Sequence, residues 1–278
     1  MMDENIKKVL LDLLLKLDEV CNRNGLRYYI AFGTCLGALR HKGIIPWDHD
    51  IDVLMPIEDV KKLIKLQSEL GERYFIQTYE TDPSFGSISC KLRDSETTCI
   101  WKEYRNCRFN QGLSIDIYPY YYAPNSKVGL LLNIWRSHFL KMLTIGDMPM
   151  HHNGIFKYIK RLIQFFYRGE RRDKAIKRIR RKLENVINGN EILDYYGEDI
   201  SLFSAITYPK EWFQEPKKIE FEGFIVNAPT EPERYMERRY GDYMKLPPID
   251  KRIEEFKEPG LIIDVHKSYR EYYKEMDK

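Results

Sequence analysis

The chain has 278 residues, 43% hydrophobic and 31% charged, with a formal net charge of +3. That is ordinary globular composition, enough for one large domain or a domain with an elaborate appendage. Its five cysteines, at 21, 35, 90, 99 and 107, form no CxxC pair, so the usual zinc signatures are excluded and a reduced, cytosolic setting is expected.

Asp3 to Asn24 reads as a helix. Ile6, Val9, Leu10, Leu13, Leu14, Leu17, Val20 and Cys21 repeat at helical spacing, Asp3 caps it and Gly25 stops it; it is expected to pack beneath the first strand. The opening MMDENIKK reads as no secretory signal, and no window is apolar enough to span a bilayer. Tyr29 to Phe32 is predicted as a buried strand ending at Gly33, followed by a small-residue turn and a short helical segment from Leu36 to Arg40.

Ile44, Ile45, Pro46 and Trp47 then lead into a predicted acidic strand, Asp48 to Leu54. Alternation places Asp48, Asp50 and Asp52 on one face and Ile51 and Val53 on the other. Carboxylates two apart lie roughly 6.6 Å from each other along a strand and repel without a counter-ion. A hard divalent ion, Mg²⁺ or Mn²⁺, held by oxygen ligands is expected. A calcium loop needs glycine after its third ligand, whereas Val53 and Leu54 continue a strand. Upstream, the Gly33 amide and the Thr34 hydroxyl suit contact with a phosphate. Arg40, His41 and Lys42 are placed to reach a substrate, or else form a solvated basic turn before Gly43.

Pro56 is read as starting a helix, Ile57 to Leu70, closed by Gly71, and Tyr74 to Tyr79 as a strand. Residues 87 to 101 read as two short strands around an Asp94-Ser95 turn, with Lys91 and Arg93 on one face. Gly112 to Pro119 is a further strand in which Asp116 lies between Ile115 and Ile117 and shares a face with Ser114 and Tyr118. An aspartate in such a strand needs a partner, because unpaired burial of charge is expensive.

From 125 to 190 the composition changes. Ile155, Phe156, Ile159, Leu162, Ile163 and Phe166 form one helical stripe, and residues 157 to 182 hold twelve Lys/Arg against Glu170 and Asp173. The segment suits a negatively charged membrane surface or a polyanionic acceptor; the plain alternative is a solvated helical insertion. No nucleic-acid motif accompanies the charge, so nucleic acid is not expected. His151 and His152 read as a solvent-exposed pair beside Asn153-Gly154. Beyond Gly189, Glu220 to Asn227 reads as a strand or hairpin and Glu231 to Tyr240 as a helix with Tyr235 and Met236 inward.

Glycine-hydroxyl, a spacer and aspartate-apolar-aspartate is the pattern of the nucleotidyltransferase fold. The fuller string GTCLGALRHKGIIPWDHDIDV resembles the signature of the LicD family, to which the fukutin proteins are related. Lys91-Leu92-Arg93-Asp94, GLSIDIYP and YMERRYGDYMKLPP are similar to further LicD pieces. The resemblance implies an α+β, nucleotidyltransferase-like mixed sheet flanked by helices. The expected layout is a catalytic core over 1–124, a basic, mainly helical insertion over 125–190, and 191–278 completing the catalytic domain. It implies a metal site of Asp50, Asp52 and Asp116 with Asp48 as an additional ligand, Lys91 as a phosphate contact, and residues 235–248 bordering the nucleotide pocket.

The reaction implied is transfer of a phospho-alcohol, phosphocholine or ribitol phosphate for example, from a CDP-linked donor to a hydroxyl of a cell-surface glycan such as lipopolysaccharide, capsule or teichoic acid, with release of CMP. The acceptor can be lipid-linked, and the protein is expected in the cytoplasm with peripheral contact at the inner membrane face. Other readings stay open: a nucleotidyltransferase acting on a sugar or small molecule, and a glycosyltransferase using its DxD for a UDP-sugar, against which Gly33-Thr34 stands. A third is an inactive glycan-binding module, against which the intact Asp50, Asp52 and Asp116 stand.

Overall fold

A computed structural model of the chain describes residues 2–87, 89–144, 158, 162–163, 165–195, 200–249, 252 and 260–276. Helix α1, Glu4–Asn24, begins where Asp3 Oδ1 accepts the Asn5 amide at 2.8 Å and ends at Gly25, whose φ of 61° supplies the left-handed cap. Its apolar stripe is buried as the periodicity predicts, but its main strand contacts are at the middle of the sheet, β4 (Cys90–Asp94) and β6 (Ser114–Tyr122), rather than at the first strand.

The sheet is mixed and seven-stranded. Its main path joins β1 (Tyr29–Ile30), β2 (Asp52–Pro56), β6 (Ser114–Tyr122), β4 (Cys90–Asp94) and β3 (Tyr74–Gln77) in that order. Strand β7 (Glu191–Asp194) pairs with the far half of β6, and β8 (Tyr208–Pro209) with β7. The β2–β6 pair is parallel and the other pairs are antiparallel. With helices against it, this is an α+β fold.

Several boundaries differ from the sequence expectations. Helix α2 runs Phe32–His41, so Gly33 and Thr34 form its first turn rather than a turn ahead of it. Phe32 opens it at φ 47°, a left-handed conformation that costs a non-glycine residue energy and leaves no mark in the sequence. The acidic strand starts only at Asp52, because Asp48 to Asp50 form an irregular approach to it. Pro56 ends β2 and caps α3, Ile57–Lys65, which closes earlier than expected in a short 3₁₀ turn, Gln67–Leu70. Strand β3 stops at Gln77, and β6 is shifted to Ser114–Tyr122. Strand β5 (Thr98–Ile100) does not pair back on β4; it pairs with β11 (Ile262–Asp264).

The C-terminal part packs into the same core. The hairpin of β9 (Lys217–Phe221) and β10 (Phe224–Ala228) turns at Glu222-Gly223, with φ of 52° and 79°, as a two-residue turn of this hand requires. Its β10 lies against β1, and α6 (Pro232–Tyr240) lies against α2 with Tyr235 and Met236 buried as expected. Ile192, Trp212, Phe221, Val226 and Tyr235 join one cluster with Leu13, Ile30, Val53 and Ile115. A short helix α7, Tyr269–Met276, packs near β5.

Helices α4 (Lys127–Thr144) and α5 (Glu170–Glu184) pack on each other over a second cluster of Leu140, Leu143, Ile176, Ile179 and Leu183, continued by Tyr121 and Leu193. Arg180 ion-pairs with Glu80, and Lys61 with Glu184 at 2.6 Å, fastening this pair to the core. His151, His152, Ile155, Phe156 and Ile159 lie outside the described residues. Among the described residues, no helix is long and apolar enough to cross a membrane.

Candidate active site

One row of residues crosses the sheet. Asp52 on β2 is in register with Asp116 on β6, Asp116 with Lys91 on β4, and Lys91 with Gln77 on β3. Residues in register on adjacent strands share a face at roughly 4.8 Å strand spacing. The ladder extends by one bond at its start, where the Asp116 amide donates to the Ile51 carbonyl at 2.9 Å. Lys91 Nζ donates to Asp116 Oδ1, satisfying the carboxylate that β6 carries between two buried isoleucines. The partner that a strand aspartate needs is therefore, in this arrangement, the lysine.

The first turn of α2 positions the acidic segment. Thr34, buried, accepts the Asp52 amide on Oγ1 at 2.8 Å, and the Ala31 amide donates to the Asp52 carbonyl at 2.9 Å. Both backbone groups of Asp52 are thus held from the start of α2. A Cβ at position 33 would lie 2.6 Å from Asp48 Oδ2, so glycine there lets the Asp48 carboxylate settle on the helix. The positive end of a helix dipole favours an anion at that place. Thr34 and Gly33 accordingly fix aspartates directly.

The electrostatics are those of crowded, buried anions. The Asp50 carboxyl is pushed up to about 7, chiefly by burial and then by Asp48 and Asp116, with His49 opposing. Burial pushes Asp52 well above the usual carboxylate range, and Asp50, Asp116 and Asp48 add to this while Lys91 offsets part. Asp52 Oδ1 is buried with no hydrogen-bond partner among the described residues. An orphaned anionic oxygen surrounded by carboxylates is a place for a cation. The all-oxygen donor set fits a hard divalent ion. As the side chains stand, however, no three His, Cys, Asp or Glu among the described residues are grouped to hold one. Asp116 is engaged with Lys91, and Asp50 shares a hydrogen bond with Asp48.

Arg40, His41 and Lys42 are placed to one side. Arg40 Nη1 donates to the Tyr243 carbonyl at 2.9 Å and its guanidinium lies 6.0 Å from the Trp47 ring centre, while the His41 ring meets the same Trp47 ring edge-on at 5.8 Å. Lys42 caps α2 at φ 60°. Together they hold the loop that delivers Asp48. Arg93, which shares the β4 face with Lys91, is buried and donates to Gln77 Oε1 and the Gly112 carbonyl.

Other residues complete the site: Tyr118, read in the sequence as sharing the Asp116 face, and Arg239 and Tyr240, within the 235–248 stretch expected to border the pocket. Tyr118, two positions after Asp116, meets the Phe32 ring edge-on at 5.1 Å; burial and the charges of Asp52 and Asp116 push its phenol up. Arg239 at the end of α6 lies 4.3 Å over the same Phe32 ring. Burial raises the neighbouring Tyr240 phenol, Arg239 lowers it, and Asp52 and Asp48 raise it further, so this helix end shares the field of the acidic cluster. For Arg239 and Tyr240 the available signal was the RRYG run within 235–248.

Residues 25–142 match the LicD/FKTN/FKRP nucleotidyltransferase domain. Over 248 residues the chain is 27% identical to the lipopolysaccharide cholinephosphotransferase LicD of Haemophilus influenzae, covering 86% of this chain and 90% of that protein. It is 30% identical over 119 residues to the ribitol 5-phosphate transferase FKRP of Mus musculus, 41% of this chain but 20% of that protein. The human FKRP is 32% identical over 85 residues, 29% of this chain and 17% of that protein.

Proposed function

Because residues 25–142 match the LicD/FKTN/FKRP nucleotidyltransferase domain, we propose that the protein is a phosphotransferase that moves a phospho-alcohol from a CDP-linked donor to a hydroxyl of a glycan. The observation that carries this reading is the row Asp52–Asp116–Lys91 beside Asp50 and the first turn of α2. The relatives named for cholinephosphate and ribitol phosphate transfer support the class of group moved.

In the reaction the acceptor oxygen attacks the phosphorus that bears the alcohol. The bond from that phosphorus to the bridging oxygen breaks, and CMP leaves with the bridging electron pair. The acceptor proton passes to a carboxylate. Asp50, Asp52 and Asp116 are the residues that would hold Mg²⁺ or Mn²⁺, with Asp48 behind Asp50. When bound, the ion supplies positive charge that neutralises phosphate oxygens and lowers their repulsion of the incoming hydroxyl. Lys91 supplies a second cation; once freed from Asp116 it is positioned for a donor phosphate. Arg239, stacked on Phe32, brings a guanidinium to the same end of α2 and suits the diphosphate. Thr34 and Gly33 keep Asp52 and Asp48 in place, and such positioning supplies much of the rate.

The test is a panel of CDP-linked alcohols incubated with protein, Mg²⁺ and glycan acceptor, read as CMP release and as acceptor mass. Gain of the phospho-alcohol with stoichiometric CMP is expected. An acceptor that retains the nucleotide would mark a nucleotidyltransferase, and no turnover with any donor would remove the reading.

A further inference from the structure

We infer that the groove between α4 and α5 binds an anionic membrane lipid, its tail on the apolar floor and its phosphate on the basic rim. The groove holds about 800 Å³, a volume within the range of ligand sites. Phe139 of α4 and Ile179 of α5 form its floor with Ile163 and Phe166 from the segment before α5. Arg136, Arg171, Lys174, Arg178 and Lys182 line it, and among the described residues its lining includes no carboxylate. Lys174 pairs with Glu170 at 3.0 Å, outside the groove lining, and Arg136 donates to Asn133. Arg171, Arg178 and Lys182 have no ion-pair partner among the described residues.

The apolar side is open to solvent. Leu162, Phe165 and Phe166 are 60%, 64% and 59% exposed, and Phe165 carries Arg168 over its ring at 5.5 Å. A contiguous exposed aromatic patch marks an interaction surface. Charge decides which one. An apolar groove alone would accept a helix of another protein, but a lining of five cations, three of them without an ion-pair partner among the described residues, selects an amphiphile with an anionic head. A negatively charged leaflet presents many such heads and attracts a basic face from solution. None of the groove residues belongs to the aspartate row, so this inference stands or falls apart from the phosphotransfer reading.

The experiment is sedimentation of the whole chain with phosphatidylcholine vesicles, with and without phosphatidylglycerol, at low and high salt and with no donor present. Three proteins are compared: the parent, R171Q/R178Q/K182Q and L162S/F166S. All five positions line the groove and each variant is checked by its melting temperature. The parent is expected to pellet only with phosphatidylglycerol and to be released by salt in part, the apolar contribution remaining. Losing three cations at about 1 kcal/mol each weakens binding about a hundredfold. The serine variant should lose the binding that survives high salt. Failure of the parent to pellet, or equal pelleting of parent and both variants, overturns the proposal. So does full competition by soluble polyphosphate together with unchanged binding of L162S/F166S, which would assign the rim to a soluble polyanion. If one variant fails to fold, the other decides.

Discussion

Asp52 and Asp116 stand opposite each other in register on adjacent parallel strands, β2 and β6. Two carboxylates so placed, with Lys91 beyond them in the same row, form an anion pair held by backbone register rather than by flexible side chains. Replacing either with asparagine removes charge without removing volume. Asp52→Asn and Asp116→Asn are expected to fold, to melt no lower than the parent without added metal, and to lose about 10²–10⁴-fold in CMP release. Near-parental turnover in either variant would exclude that residue from the reaction.

The pH dependence of stability follows from Asp50 and Asp52. Both carboxyls are raised in the folded state, Asp50 from 3.8 to about 7. Between those values the folded chain keeps a proton that the unfolded chain has released, so stability falls as pH rises through the window. Melting temperature in chelator should therefore decline from the acidic to the neutral end. Mg²⁺ should restore it most at the neutral end, where the carboxylates are free to bind it. Asp50→Asn should flatten the slope and weaken the Mg²⁺ response; an unchanged slope would show that burial does not govern this carboxyl.

Thr34 is a positioning residue whose role can be separated from phosphate contact. Thr34→Val keeps the shape but leaves the buried Asp52 amide unpaired, costing about 1–3 kcal/mol. At roughly 2–4 °C per kcal/mol for a chain of this size, the melting temperature should fall by several degrees. Thr34→Ser keeps the acceptor and should restore most of both stability and turnover.

The close approach at Gly33 calls for a double-mutant cycle. Gly33→Ala puts a methyl 2.6 Å from Asp48 Oδ2, so the carboxylate must leave its place on α2. Turnover is expected to drop about tenfold or more with little change in melting temperature. In an Asp48→Ala background the same change should cost almost nothing further. Additive losses would place the effect of the methyl elsewhere.

Arg239 tests the donor end of the site. Arg239→Lys keeps the charge but loses the guanidinium that lies 4.3 Å over Phe32, and lysine is a poor substitute at a stacked position. The KM for the CDP-linked donor should rise about tenfold, with a smaller change in kcat. An unaltered KM would remove Arg239 from donor binding.

Much of this was legible in the chain because the signals were local. The stripe and caps of α1, the alternation around Asp116 and the inward Tyr235-Met236 pair need only neighbouring residues. The start of β2 was not legible: Asp48 and Asp50 alternate like strand residues, yet the Asp48 side chain is drawn onto Gly33, a tertiary contact. Helix α2 was read too short because Gly33 looks like a stop and the positive φ of Phe32 is invisible in sequence. The pairing of β5 with β11 and the arrival of Arg239 on Phe32 join distant parts of the chain, which no local pattern encodes. Lys91 was picked out as a phosphate contact, while its bond to Asp116 depended on strand order.

The tip of the β9–β10 hairpin has a consequence for how the site comes into being. Glu222 accepts the Ile44 amide at 2.8 Å and ion-pairs with Lys7 at 2.6 Å, and its own amide donates to the Lys42 carbonyl. The contact with Ile44 closes a loop of 178 residues. On a ribosome moving at about 5–20 residues per second, the stretch that carries Asp48 waits roughly ten to thirty-five seconds for its clasp. During synthesis the aspartates are therefore made early, and the loop that leads to them gains its clasp only after Glu222 has emerged.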